Sequence, residues 1–168
     1  MNRASSRLFA RFLCLLILQV LVFNQWVLFG SIFPCVYIFF ILSYPFEANP
    51  QEVTLVGFLL GLSLDLLTQS PGAHTIATLS IAAFRPAVIA ISLGLITDFS
   101  SIFSRRIKNL NLFYFIGILT WTHQLIYFTV LYFSGEAWLQ ILTRSLVQFI
   151  LSGLFIFLVL SLYSRDDS

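Results

Sequence analysis

Long apolar runs, broken by brief polar stretches, set the rhythm of this chain. Six runs can be read: Leu8 to Phe29, Ile32 to Tyr44, Val53 to Thr68, Thr75 to about Gly94, Leu112 to Phe133 and Leu139 to Tyr163. A membrane-crossing helix needs roughly 20 mostly apolar residues. The runs are continuous rather than alternating, which favours helices over the strands of a barrel. The pattern predicts an all-α polytopic membrane protein, a bundle of about six transmembrane helices, with residues 1–168 forming a single integral membrane domain. The second run is the shortest and is bracketed by Pro34 and Pro45. If it turned back without crossing, every later orientation would invert.

Composition and charge sharpen the picture. Of 168 residues, 59% are hydrophobic, 10% are charged, and 19 are phenylalanine. Soluble domains carry about 25% charged residues, so most of this surface must face lipid. A net charge of +2 is too small to suggest a nucleic-acid partner. Six crossings place Arg3, Arg7, Arg11, Arg105, Arg106, Lys108 and Arg165 on one side, with no lysine or arginine in the loops opposite. That is the positive-inside distribution, so both termini are expected in the cytoplasm. The basic start followed by an apolar run lacks a small-residue cleavage pattern and reads as an uncleaved anchor. Cys14 and Cys35 should lie at opposite depths, beyond the roughly 7 Å reach of a disulfide, as buried small hydrophobes.

The stretch GFLLGLSLDLLTQSPGAH, Gly57 to His74, places a carboxylate within an apolar run. Gly57, Gly61 and Asp65 are spaced i, i+4, i+8 and share one helix face. Gly57-x-x-x-Gly61 is the small-x-x-x-small pattern that lets membrane helices approach closely. A carboxylate at mid-span costs roughly 2.5 to 3.5 kcal/mol to insert, so Asp65 should face protein and find a partner. Asp65 and Arg144 lie at similar depths, about 7 and 9 Å from the outer side. The expected partner is therefore Arg144, in an ion pair tying the third run to the sixth; the alternative is that Arg144 snorkels to the outer interface and Asp65 bonds to hydroxyls and backbone.

Pro71-Gly72 is turn chemistry, and His74 should cap or bond locally as the next helix begins. No second histidine or cysteine lies near it in sequence, so no metal role is expected. Arg85-Pro86 should kink or shorten the fourth helix, with Arg85 snorkelling to the cytoplasmic interface. Residues 99–110 read either as an interfacial helix with Arg105, Arg106 and Lys108 beside its apolar stripe, or as a plain basic loop. His123-Gln124 reads as a packed polar pair. Gly61-Leu62-Ser63 invites comparison with an intramembrane protease, but Leu64 stands where that motif needs glycine. Ser63 also points about 200° away from Asp65. With no Walker motif, metal-ligand cluster or paired carboxylates, no cofactor and no catalytic set are expected.

The ordered set Gly57-x-x-x-Gly61-x-x-x-Asp65, Pro71-Gly72-x-His74 and Phe84-Arg85-Pro86 resembles the MreD family of bacterial rod-shape-determining membrane proteins. It looks most like the versions from the Bacteroidetes lineage, which tend to share the Arg-Pro pair and a histidine in the fifth span, here His123. The resemblance is densest from Val53 to Pro86. It implies a non-catalytic scaffold or regulator of peptidoglycan elongation in the bacterial inner membrane. Its partners would be MreC-like proteins, RodA with its transpeptidase, and MreB. Two alternatives stand beside it. One is a substrate-binding subunit of a vitamin transporter, with an outward pocket using Asp65, His74, Trp121 and Trp138. The other is the protease.

Overall fold

The computed structural model describes residues 3–28, 32–93, 110–133 and 138–163. The helices are α1 (Arg3–Leu21), α2 (Ile38–Leu42), α3 (Pro50–Thr68), α4 (Ala73–Leu93), α5 (Leu110–Tyr132) and α6 (Trp138–Tyr163). A single 3-10 turn, Phe23–Gln25, follows α1. All except α2 are long and apolar enough to cross a membrane, so the chain is an all-α polytopic bundle. The expected interfacial segment 99–110 lies outside the described residues, apart from Leu110, where α5 begins.

Helix α6 shows why these sequences fold inside out. Leu139, Leu142, Leu146, Ile150, Leu154 and Phe157 are exposed and recur every three or four residues. The buried stripe opposite is Ile141, Ser145, Gln148, Ser152, Ile156 and Leu160. Half of the inward positions are polar, while the exposed positions are apolar apart from Gln140 and Thr143 near the start and Ser161 near the end. In lipid the outward face loses nothing by being greasy, and polar groups must turn inward to find partners.

The second run is not a regular helix. Of residues 32–44 only Ile38–Leu42 are helical, yet all except Ser43 are buried. Thirteen residues of α-helix would span only about 20 Å, short of the roughly 30 Å hydrocarbon thickness. Less compact backbone reaches further per residue. The segment still runs across the bundle alongside α1. Its start contacts Gln19, through Pro34, Val36 and Tyr37. Its middle packs Phe40 on Phe12, and its end meets Arg11 at Ser43. It therefore runs antiparallel to α1 and returns the chain to the end where α1 began. Non-helical backbone is tolerated at this depth where protein encloses it. Here α1 and α3 to α6 surround it, the gap between α6 and α1 being closed by Phe155 against Phe23 and Trp26.

Helix α3 begins earlier than the apolar run suggests. Asn49 accepts from Gln51 N at 3.0 Å, and Pro50 takes the first helical position, where its missing N–H costs nothing. Helix α4 continues through Pro86 to Leu93, so the proline does not end it. Both cysteines are free. Cys35 is buried as expected, but Cys14 is exposed on the outer face of α1, where a small apolar thiol is at home in lipid.

Candidate functional site

Asp65 sits where α3 meets α4. Its main-chain carbonyl accepts the N–H groups of Gln69 and Ser70, which closes α3 with Gln69 in the left-handed region at φ 53°. Its side chain then reaches across the turn. One oxygen accepts from Ser70 Oγ and from His74 N at 3.1 Å; the other accepts from Thr75 N at 2.7 Å and Thr75 Oγ1 at 2.5 Å. Gly72, at φ +85°, turns the chain into α4 but offers no side chain to cap it. The first N–H groups of α4 would be orphaned in the bundle. Asp65 satisfies two of them from the neighbouring helix, and its charge faces the positive end of the α4 dipole.

This overturns the expected Asp65–Arg144 ion pair. Arg144 is not among the partners of Asp65; its guanidinium lies 5.2 Å over the Tyr132 ring, a cation–π contact. Matching depth alone was misleading. A helix N-terminus one turn along the chain supplies neutral donors already in place, whereas an ion pair would require burying a second charge.

The glycine face points the same way. A Cβ on Gly57 would stand 2.8 Å from Ala82 Cβ. One on Gly61 would stand 2.6 Å from Thr75 Cα and 2.7 Å from His74 O. Gly57, Gly61 and Asp65 thus form one seam: two close approaches to α4, then its cap. Pro71 is exposed at the tip of the turn.

The irregular crossing is held by side chains lent from elsewhere. Gln19 Oε1 accepts from Val36 N at 2.8 Å and Tyr37 N at 3.2 Å, while its Nε2 donates to Pro34 O at 2.9 Å. Ser152 accepts from Cys35 N at 2.9 Å. Gln124 and Gln148 join this network at 2.9 to 3.1 Å, so Gln124 is a packed polar link between α5 and α6. At the opposite end Arg11 donates to Ser43 O at 3.3 Å. Arg85 donates to Tyr44 O at 2.5 Å and to Pro45 O at 3.5 Å. Arg85 is therefore not a snorkelling residue: it is 2% exposed and lies 4.9 Å over Phe46. The crossing ends in carbonyls with no helical partner, and a planar multi-donor group fits them better than lipid headgroups would.

Between the two ends lies a histidine–tyrosine–histidine bridge. Tyr37 Oη is 2.8 Å from His74 Nδ1 and 2.8 Å from His123 Nε2. Tyrosine has one proton, so it donates to one ring and accepts from the other. If it donates to His74, His123 gives its Nε2 proton, and only a lone pair at the unpartnered Nδ1 goes unmet. The bridge fastens α4, α5 and the crossing together. Ser63 is not near it: its hydroxyl donates back to Leu59 O at 2.7 Å, a common use of intramembrane serine.

Beside His74 a cleft of about 400 Å³ opens at the end of the bundle away from Arg11 and Arg85. Its polar lining is Asn24, Gln25, Thr68, Ser70, His74 and Tyr127. Of the four residues foreseen for an outward pocket, His74 lines it; Asp65, Trp121 and Trp138 do not.

No family model, curated protein or solved structure matches the chain. The structure brings Gly57, Gly61, Asp65, Gly72 and His74 together, joins His123 to them through Tyr37, and puts Arg85 and Arg144 at separate places. Sequence reasoning missed Gln19, Tyr37, Gln148 and Ser152. Gln19 could have been found, because a lone glutamine in an apolar run raises the same question as Asp65. Gln148 and Ser152, four apart in the last run, form a polar face by the same logic.

Proposed function

We propose that this protein is a non-catalytic membrane scaffold and regulator of the peptidoglycan elongation machinery, of the MreD kind, in the bacterial cytoplasmic membrane. Its partners are MreC-like, RodA-like and MreB-like proteins. The observation that carries the reading is the use to which the resembling residues are put. Gly57, Gly61 and Asp65 lock α3 to α4, and Arg85 fastens α4 to the crossing. Those four residues serve rigidity, as a platform for partners requires. The protease reading is weakened because Ser63 bonds to its own helix and His123 to Tyr37.

The test is depletion in the native host combined with capture from native lipid. Rounded or swollen cells, and co-purification of elongation-complex membrane proteins, are expected. Normal shape with loss of vitamin uptake would replace this reading with the carrier.

A further inference from the structure

The cleft beside His74 has a chemistry of its own. None of its lining residues is charged. Among the described residues it has no fixed cation to hold a phosphate or carboxylate, and Asp65, bonded to the lining residue Ser70, is already turned to α4. What the cleft offers is amides and hydroxyls, from Asn24, Gln25, Thr68 and Ser70, around an aromatic group. Phe33, His74 and Tyr127 all line it and are packed ring on ring, with centroids 4.8 to 6.1 Å apart.

Tyr127 gives the second, independent observation. The residue is 4% exposed, and its hydroxyl makes no hydrogen bond among the described residues, although it is not among the sealed, unsatisfied polar atoms. Buried tyrosine hydroxyls usually find a partner. The neighbouring Tyr37 has two. A tyrosine held by its ring in a polar cleft, with its hydroxyl uncommitted, is arranged to receive a ligand.

We propose that this cleft binds an uncharged sugar ring. Sugars suit such a lining because their hydroxyl and acetamido groups pair with amides and hydroxyls. Their C–H faces carry slight positive charge and meet the negative faces of aromatic rings. The volume falls in the range of small-molecule sites, roughly 300 to 1,000 Å³, and holds one or two sugar rings. The choice of an N-acetylated amino sugar among neutral sugars rests on the proposed function; the cleft itself does not.

The experiment uses the full chain in lipid nanodiscs and the β-1,4-linked disaccharide of N-acetylglucosamine as probe, read by saturation-transfer NMR. Saturable binding is expected. Tyr127→Phe keeps the ring but removes the hydroxyl, and should weaken binding about fivefold to tenfold, the worth of one hydrogen bond. Gln25→Ala, at an exposed position, should weaken it without risk to folding. Leu154→Ala, on the lipid face, should not alter it. No saturable binding by the folded parent protein would overturn the proposal, as would binding indifferent to both cleft variants. Riboflavin or thiamine binding in place of the disaccharide would overturn it too. If the disaccharide binds but depletion leaves cell shape unchanged, the site stands and the scaffold reading falls. If shape depends on the protein and no sugar binds, the reverse holds.

Discussion

The α3–α4 hairpin and the irregular crossing at residues 32–44 solve the same problem by opposite means. Both must satisfy backbone groups far from water. The hairpin is nearly self-sufficient: two regular helices, a glycine seam that lets them touch, and one carboxylate for the exposed N–H groups. The crossing makes few hydrogen bonds of its own. It borrows Gln19 and Arg11 from α1, Arg85 from α4 and Ser152 from α6. The difference teaches where polar side chains in this bundle are used. Asp65 and Arg85 do not neutralise other side chains; the acid takes orphaned N–H groups and the base takes the carbonyls that end the crossing.

The crossing should therefore be the more fragile region. Gln19→Leu fills similar volume but leaves two N–H groups and one carbonyl of residues 34–37 without partners. At about 1 to 3 kcal/mol per buried group, the loss should be about 3 to 9 kcal/mol. Reversible unfolding in mixed micelles would measure it. A cost below about 1 kcal/mol would mean that the crossing supports itself and that the contrast with the hairpin is false.

The sequence makes the hairpin legible and hides the crossing, for a physical reason. Gly57, Gly61 and Asp65 lie at four-residue intervals on one face and act on the next element along the chain, so spacing alone exposes the seam. Helix number, membrane class and buried faces follow from apolar runs for the same local reason. Arg85 acts on residues 40 and 41 positions away, and Gln19 on residues 15 to 18 away. A backbone that departs from helix leaves no periodic mark, and the run Ile32 to Tyr44 looked like a short span. That Asp65 needs a partner is legible, but matching depth favours a charged side chain over the backbone and hydroxyls that it meets, because depth says nothing of where a neighbouring helix begins.

The acid in the hairpin gives the next test. Asp65→Ala removes the acceptor for two N–H groups and two hydroxyls, and should cost about 2 to 4 kcal/mol. Arg144→Ala should cost much less, and the two changes should be additive within about 0.5 kcal/mol, as for sites without shared contacts. A coupling above about 1 kcal/mol would restore the ion pair that the geometry excludes. The seam below the acid is tested by Gly61→Ala. Its Cβ would meet the backbone of Thr75 and His74 at 2.6 to 2.9 Å, and backbone cannot rotate aside. A loss of about 1 to 3 kcal/mol is expected, with weaker burial of the α4 N-terminus seen as faster hydrogen exchange at His74 and Thr75.

The smallest effect separates strain from function in the hairpin. Gln69 occupies the left-handed region at φ 53°, where a side chain other than glycine costs about 1 kcal/mol or more. Its side chain is exposed and no hydrogen bond of that side chain helps to close α3; the cap uses its backbone N–H to Asp65 O. Glycine keeps that N–H and removes the clash of Cβ with the following carbonyl. It also loosens the unfolded chain, which takes back part of the gain. Gln69→Gly should therefore stabilise the protein by no more than about 1 kcal/mol, seen as a rise in the midpoint of thermal unfolding in detergent. The equivalent change at Ser70, whose hydroxyl donates to Asp65, should instead destabilise. If Gln69→Gly lowers the midpoint, the amide has a task that backbone geometry does not account for, and the hairpin is less self-sufficient than the comparison with the crossing requires.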